Sequence, residues 1–334
     1  MNGDSGMRTR ATRRGLWLTE LGLGAAQFGN LYRETTDEQA ASAVAAAWDA
    51  GIRYFDTAPH YGLGLSEQRL GALLATYPRD EYLVSTKVGR ILVESPELAG
   101  QQDDEGFAVP AARRRVWDFS RDGILRSIDA SLTRTGLDSL DIVYLHDPDD
   151  HLEQALGEGI QALIELRDQG VVKAVGAGMK QSEALAALIR AADVDLVMLA
   201  GRYTLLEQGA AEDLLPLAQE RGVGVVIAGV YNTGLLSLAR PSVGAKYEYE
   251  DAPGELISRA NEIADVCERH GVSLPAAALA FPLLQPAVVS VVVGVRDATQ
   301  LKSNVERYET PIPTALWAEL RAKNLLPDST YHTA

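Results

Sequence analysis

Four residues that could do acid–base chemistry stand at or just after the ends of apolar, β-rich runs. They are Asp56, Tyr61, Lys87 and His146. Together they could move a proton to or from a substrate oxygen, with Tyr61 as the proton carrier. A free tyrosine keeps its proton until pH ~10, and a nearby lysine ammonium favours the phenolate and lowers that pKa. Asp56 would then hold the ammonium in place, and His146 would bind and orient the substrate oxygen.

Each of these residues also has a structural interpretation. Asp56 can cap the next helix, and Tyr61 can fill a gap in the loop before it. Lys87 can be a solvated strand end, and His146 a hydrogen-bonded residue at the sheet edge. Packing alone seldom places four chemically matched side chains at three successive strand ends, so the catalytic interpretation is favoured.

Short apolar runs alternate with longer helical patterns along almost the whole chain. Pro59 ends the run that carries Asp56, because proline fixes its own φ and has no N–H for the sheet. The predicted strands cover residues 21–26, 53–56, 82–87, 140–146, 171–176, 196–199, 223–227 and 288–293. The predicted helices cover residues 36–50, 66–76 with Ser66 as cap, 122–135, 152–169, 182–192, 211–221, a pair within 255–284, and 299–306.

This alternation predicts an α/β fold, a single (β/α)₈ TIM barrel, in which all strand ends meet at one rim. A doubly wound open sheet is the alternative. Its phosphate-binding fingerprint of three glycines is only approached by Gly22 and Gly24, with Asn30 rather than glycine nearby.

Composition narrows the possible partners and compartments. The net charge of −15 and pI near 4.8 argue against nucleic acid and anionic membrane as partners, and no apolar run approaches the ~18 residues of a membrane span. Cys267 is the only cysteine, so neither a disulfide nor a metal site is expected. Residues 1–14 lack the apolar stretch of a signal peptide. We expect a disordered tail there, one domain over residues 15–330, and a cytoplasmic location; the oligomeric state stays open.

Residues 89–118 form the one long irregular segment, rich in Gly, Pro, Gln, Asp and Glu. So long a loop is uncommon unless it is disordered or covers a site. Because it follows the third predicted strand, we expect it to cover the substrate side.

Three stretches carry a resemblance to the aldo-keto reductases: residues 55–62 (FDTAPHYG), 85–89 (STKVG) and 144–149 (YLHDPD). The resemblance runs from about residue 21 to residue 326 and implies a (β/α)₈ barrel that moves hydride between a nicotinamide cofactor and a carbonyl or alcohol. The family's catalytic Asp, Tyr, Lys and His fall on Asp56, Tyr61, Lys87 and His146.

Residues 58–67, 146–150, 176–179, 200–206 and 229–234 resemble the aldose dehydrogenase branch, which includes enzymes acting on L-fucose, L-galactose and D-arabinose. Pyridoxal dehydrogenases are similar too. The resemblance therefore implies a small-molecule substrate, either a sugar oxidised at C1 to its lactone or an aldehyde. A non-catalytic nicotinamide-binding subunit, as in potassium-channel accessories, is a further alternative.

The same resemblance implies a set of cofactor-binding residues. Its members are Gly178, Gly229, Val230, Tyr231, Asn232, Gly234, Gly294, Arg296, Gln300 and Asn304. Gln300 stands where NADP-preferring members often carry arginine, and Asp297 adds a negative charge, so NAD is favoured weakly over NADP. Arg296 could still pair with a 2′-phosphate.

Overall fold

A computed structural model describes residues 6–248 and 250–327 of the chain. Its strands are β1 Thr9–Ala11, β2 Trp17–Thr19, β3 Leu21–Gly24, β4 Tyr54–Asp56, β5 Leu83–Val88, β6 Arg90–Glu94, β7 Arg113–Trp117, β8 Ile142–His146, β9 Ala174–Met179, β10 Leu196–Ala200, β11 Gly224–Ala228, β12 Lys246–Tyr247, β13 Glu250–Asp251 and β14 Val288–Gly294. Its helices are α1 Asp37–Asp49, α2 Leu65–Leu74, α3 Arg121–Thr135, α4 Leu152–Gln154, α5 Ile160–Asp168, α6 Ser182–Ala191, α7 Leu214–Arg221, α8 Gly254–Arg269, α9 Leu274–Ala280, α10 Ala298–Glu309 and α11 Thr314–Ala322. Each helix in the described part of the chain is too short or too polar to cross a membrane.

Eight of the described strands close into one parallel barrel, in the order β10, β11, β14, β3, β4, β5, β8, β9. The prediction of a (β/α)₈ TIM barrel is confirmed, and the open-sheet alternative is wrong. The barrel strands are almost wholly buried, since helices cover their outer face and side chains fill the interior. That burial on both faces is why each strand reads as a short apolar run.

A hairpin of β1 and β2 closes the amino-terminal end of the barrel. Leu18 of β2 is fully buried among interior side chains that include Tyr54 and Tyr144. Arg8 and Arg10 donate to the carboxylate of Glu20 at 2.8 and 2.7 Å. The prediction of a disordered tail over residues 1–14 is therefore wrong for the part that is described, because these ion pairs order a polar segment; residues 1–5 lie outside the described residues.

Most elements begin and end within three residues of the prediction. The fifth barrel strand is displaced by three residues at both of its ends. The prediction placed that strand at residues 171–176, whereas β9 spans Ala174–Met179. A Cβ on Gly176 would lie 1.6 Å from the carbonyl oxygen of Leu196. The strand continues beyond its predicted end at Gly176, because Gly178 and Met179 pair with Met198 and Leu199 of β10. Helix α11 has no counterpart in the sequence prediction.

The segment over residues 89–118 is a hairpin rather than an irregular loop. β6 and β7 pair antiparallel, from Arg90 opposite Trp117 to Glu94 opposite Arg113. The tip folds back on the loop after β3, where Phe107 forms a bridge with Leu31. The hairpin thus stands over the carboxyl-terminal rim of the barrel.

Candidate active site

Three of the four predicted catalytic residues form one hydrogen-bonded chain at this rim. Lys87 Nζ, in β5, donates to Asp56 Oδ2 at 2.7 Å and lies 3.1 Å from the Tyr61 hydroxyl. It also donates to the carbonyl oxygen of Thr57 at 2.9 Å, and Asp56 Oδ1 accepts from Ser85 Oγ at 2.7 Å. Asp56 and Lys87 are buried, so the ion pair is shielded from water.

The fourth residue, His146, ends β8 beside the phenol. Its ring lies edge-to-face with that of Tyr61, with 6.0 Å between centroids. Its Nε2 lies 3.6 Å from Asp147 Oδ2. Within the described residues, its buried Nδ1 has no hydrogen-bond partner. The structure therefore brings all four predicted side chains to one place.

The loop that carries Tyr61 is fixed by a buried hydroxyl pair. Ser66, predicted as the cap of the next helix, instead bonds the hydroxyl of Thr57 at 2.8 Å. Helix α2 begins at Leu65, with Gly64 in a left-handed conformation at the N-cap. The predicted cap is wrong because the serine is drawn into the strand end, where it helps hold the loop.

The proton on Tyr61 is governed by two opposed effects. Burial raises the pKa of Tyr61, the Lys87 ammonium lowers it, and the Asp56 carboxylate raises it further. The net shift is upward, so the phenol keeps its proton at neutral pH in this structure. Burial also disfavours the Lys87 ammonium, but the charge of Asp56, the Tyr61 phenol and the hydrogen bonds to both together outweigh this and raise the pKa of Lys87.

Two imidazoles at the rim are held neutral. Burial, followed by the charges of Arg90 and Arg115, lowers the pKa of His60 to about 2. Burial and the nearby Arg90 and Lys87 hold the pKa of His146 well below its usual range. A neutral His146 can bind a substrate oxygen without first losing a proton.

The hairpin contributes two arginines that sequence reasoning missed. Arg90 Nη2 donates to Asp147 Oδ2 at 2.5 Å, and Arg115 donates to Asp103 Oδ1 at 2.6 Å and to the carbonyl oxygen of His60 at 2.9 Å. The β-rich apolar run at residues 91–93, followed later by Val116 and Trp117, was the available signal for a paired hairpin.

A cleft of about 300 Å³ opens at Asp147, the residue after His146. It shares Asp147 and Arg90 with the surroundings of the tetrad. Its lining is mostly charged or polar: Arg90, Trp117, Asp147, Asp149, Asp150, His151, Lys180 and Gln181. Such a lining is matched to a substrate that makes many hydrogen bonds.

Gly178 lies next to the tetrad, in β9. It pairs in register with His146 across β8 and β9, and a Cβ there would lie 3.9 Å from Lys87 Cε. Without a side chain, this position leaves room beside the lysine for a planar group such as nicotinamide.

The loop after β11 has the backbone form of a phosphate-binding turn. Gly229, Asn232, Thr233 and Gly234 all have positive φ, which can turn successive N–H groups to one side. Asn232 Nδ2 donates to the carbonyl oxygen of Gly201 at 3.0 Å. Its buried Oδ1 has no partner within the described residues and could accept a hydrogen bond from a cofactor amide.

The same loop is tied to helix α10. Val230 is buried in the core, whereas the Tyr231 hydroxyl donates to Asn304 Oδ1 at 2.7 Å. Arg307 lies over the Tyr231 ring, 5.5 Å from its centroid. Gly294 ends β14 and leads into this helix, so the predicted cofactor residues share one side of the rim.

Two of those residues are already engaged at the start of α10. Arg296 donates to the carbonyl oxygens of Leu31 and Arg33 and to Thr35 Oγ1. Gln300 Oε1 accepts from the Arg296 N–H at 2.9 Å, and Asp297 caps the helix by accepting from the Gln300 N–H at 3.0 Å. The terminal nitrogens of the guanidinium are thus directed at protein oxygens rather than at the cleft.

Comparison with known proteins gives a consistent result. The model of the family described as "Aldo/keto reductase family" matches residues 20–325. The chain is 51% identical to D-threo-aldose 1-dehydrogenase of a Pseudomonas species, over 95% of this chain and 97% of that protein. It is 40% identical to pyridoxal 4-dehydrogenase of Microbacterium luteolum, over 94% and 96% respectively. A solved aldo-keto reductase from Bacillus halodurans, in its holo form, superposes with a TM-score of 0.73 at 25% identity, covering 98% of this chain and 99% of that one.

Proposed function

The chain belongs to the aldo/keto reductase family, and from that premise we propose that it is an aldose 1-dehydrogenase that uses NAD in preference to NADP. Family membership makes it an NAD(P)-dependent oxidoreductase. The substrates we propose are L-fucose, L-galactose and D-arabinose, each oxidised at C1 to its lactone. The observation that carries the proposal is the Tyr61 hydroxyl, which lies 3.1 Å from a buried ammonium.

In the proposed reaction, Tyr61 takes the proton of the C1 hydroxyl. Lys87 stabilises the phenolate that must form first, and Asp56 with the Thr57 carbonyl fixes the position of the ammonium. His146 holds the substrate oxygen through its neutral ring. The nicotinamide, when bound, accepts the hydride from C1. Because the pKa of Tyr61 is raised, oxidation should speed up as the pH becomes alkaline.

Residues on the opposite side of the rim would hold the cofactor. Gly178 would leave room for the nicotinamide, Asn232 Oδ1 would accept from its carboxamide, and the backbone of residues 229–234 would face the pyrophosphate. Gly294, Gln300 and Asn304 would adjoin the adenosine. Asp297 would repel a 2′-phosphate, and Arg296 is occupied, which supports the preference for NAD.

The test is a substrate panel with purified protein. L-fucose, L-galactose, D-arabinose, pyridoxal and methylglyoxal are each assayed with NAD and NADP, in both directions, by absorbance of the reduced cofactor. Mass spectrometry identifies the product. We expect lactone and reduced cofactor from at least one of the three sugars. The 40% identical relative makes pyridoxal oxidation the second candidate, and efficient turnover of pyridoxal with none of the sugars would establish it instead.

A further inference from the structure

Within the proposed function, on which this inference rests, we propose that Arg90 determines substrate specificity. Paired with Asp147, it recognises two neighbouring hydroxyl groups of a neutral polyol, next to the carbon presented to Tyr61. Arg90 comes from the hairpin of β6 and β7, not from a barrel strand.

The position of Arg90 is fixed on several sides. Its guanidinium carbon lies 4.4 Å from the centroid of Trp117, the residue opposite it in the hairpin. Its Nη2 donates to Asp147 Oδ2, and its Nη1 lies 3.4 Å from His60 Nδ1. Only 11% of the Arg90 side chain is exposed. A fork held this firmly can distinguish substrates by where their oxygens lie.

Several polar atoms around Arg90 lack partners. Within the described residues, Arg90 Nε, His146 Nδ1 and Asp149 Oδ1 are buried without a hydrogen bond. Leaving such atoms unpaired costs free energy, which a ligand that both donates and accepts can recover. Hydroxyl groups do both: the carboxylate accepts from one, and the guanidinium donates to the next.

The local charge selects the kind of polyol. The cleft lining contains the carboxylates of Asp147, Asp149 and Asp150, against the cations of Arg90 and Lys180, and Glu105 lies 3.7 Å from Arg90. This balance disfavours a phosphorylated substrate and leaves a neutral sugar as the matching ligand. A simple aldehyde offers no hydroxyl groups to Arg90 Nε and Asp149 Oδ1, which are unpartnered among the described residues.

The experiment compares Arg90→Met with wild type on matched substrates. One pair is an aldose and its 2-deoxy counterpart, assayed as oxidations; the other is glyceraldehyde and propanal, assayed as reductions. We expect kcat/KM for the aldose and for glyceraldehyde to fall roughly 10- to 100-fold, the scale of a charged hydrogen bond. The kcat/KM values for the 2-deoxy sugar and for propanal should change by less than about 3-fold. The Kd of the cofactor should stay the same.

The control is Arg113→Met, the same substitution on the same hairpin, where Arg113 pairs with Glu94 instead. This control should leave unchanged both kcat/KM ratios, that of the aldose to its 2-deoxy counterpart and that of glyceraldehyde to propanal. Arg90→Lys keeps the positive charge but not the forked guanidinium, so its kcat/KM ratios should lie between those of wild type and Arg90→Met. Equal losses on propanal and glyceraldehyde, or unchanged ratios in Arg90→Met, would overturn the assignment. A wild type that oxidises no aldose would refute the proposed function, while the glyceraldehyde-to-propanal ratio would still decide the role of Arg90.

Discussion

The hydroxyl of Tyr61 is the smallest unit on which the proposed chemistry depends. Tyr61→Phe removes that hydroxyl and keeps the ring that packs against His146. Turnover should fall by ~10²–10⁴, the usual contribution of a positioned acid or base, while the cofactor's Kd stays close to that of wild type. Steady-state kinetics and fluorescence titration measure the two. Tyr82→Phe is the control, because Tyr82 is a buried tyrosine that packs against Trp48 and Phe55 instead of the tetrad. Near-normal turnover in Tyr61→Phe would exclude the proton-carrier role.

Lys87 supplies a second prediction, because its charge is the largest influence that lowers the pKa of Tyr61. In Lys87→Met, burial and Asp56 remain, and both raise that pKa. The alkaline rise of the oxidation rate should therefore move to higher pH. A pH profile of kcat/KM for both proteins measures the shift. If the rise stays where it is in wild type, another group controls it.

The residues of the tetrad were predictable because each follows a strand that its own local pattern reveals. Arg90 and Arg115 were not. Their partners Asp147 and His60 are distant along the sequence, and they meet only when the hairpin closes over the rim. A polar segment shows where charges are, but it does not show which of them become buried together.

At the scale of elements, the hairpin is the part that departs most from expectation. Its tip carries Phe107, whose ring lies 5.2 Å from that of His60 and 6.2 Å from that of Tyr61, between centroids. Phe107→Ala should lower kcat/KM for the substrate by ~10-fold or more, since small displacements of reacting groups are costly. The cofactor's Kd should not change. Val109→Ala is the control: it truncates the same cluster but leaves the Phe107 ring in place. Equal losses in both variants would mean that the cluster only stabilises the fold.

The start of helix α10 is where cofactor choice should be decided. Wild type should favour NAD in kcat/KM, because Asp297 lies at the N-cap and Arg296 is bound to protein oxygens. Gln300→Arg should reduce the preference in kcat/KM for NAD over NADP by ~1–3 kcal/mol, the range for hydrogen bonds to a charged group. Parallel kinetics with NAD and NADP measure the ratio. A wild-type preference for NADP would show that Arg296 leaves its present partners when the cofactor binds.

The order of elements was predictable because strands and helices differ in the period of their apolar residues. Where the prediction failed, contacts from elsewhere in the chain decided the outcome. β9 extends beyond Gly176 because Gly178 and Met179 pair with Met198 and Leu199 of β10. Ser66 is not a cap because Thr57 takes its hydroxyl. Neither contact leaves a mark on the local sequence.

At the scale of the whole molecule, the two ends of the barrel differ: the end at the strand starts stabilises the fold, and the opposite end carries the candidate active site. Buried carboxylates at the strand starts accept backbone N–H groups of neighbouring strands: Asp141 from Val84 at 2.8 Å and Asp195 from Val175 at 3.0 Å. Arginines pair with both acids. The opposite end carries Lys87, Arg90 and Arg115, and burial together with these cations lowers the pKa values of His60 and His146 so that both stay neutral.

Those histidines make the stability of the whole molecule sensitive to acid. The pKa of His60 and that of His146 are lower in the folded protein than in the unfolded chain, so the unfolded chain binds more protons once the pH falls below ~6.5. Each should then reduce the free energy of unfolding by ~1.4 kcal/mol per pH unit, down to the folded pKa, which for His60 is about 2. We therefore expect urea titrations to give a lower free energy of unfolding at about pH 5 than at about pH 7. In His60→Gln the loss of unfolding free energy between these two pH values should be smaller than in wild type. Because both proteins have the same carboxylates, the contribution of the carboxylates cancels when the two losses are subtracted. An equal loss in both would show that His60 is not held neutral in the folded protein.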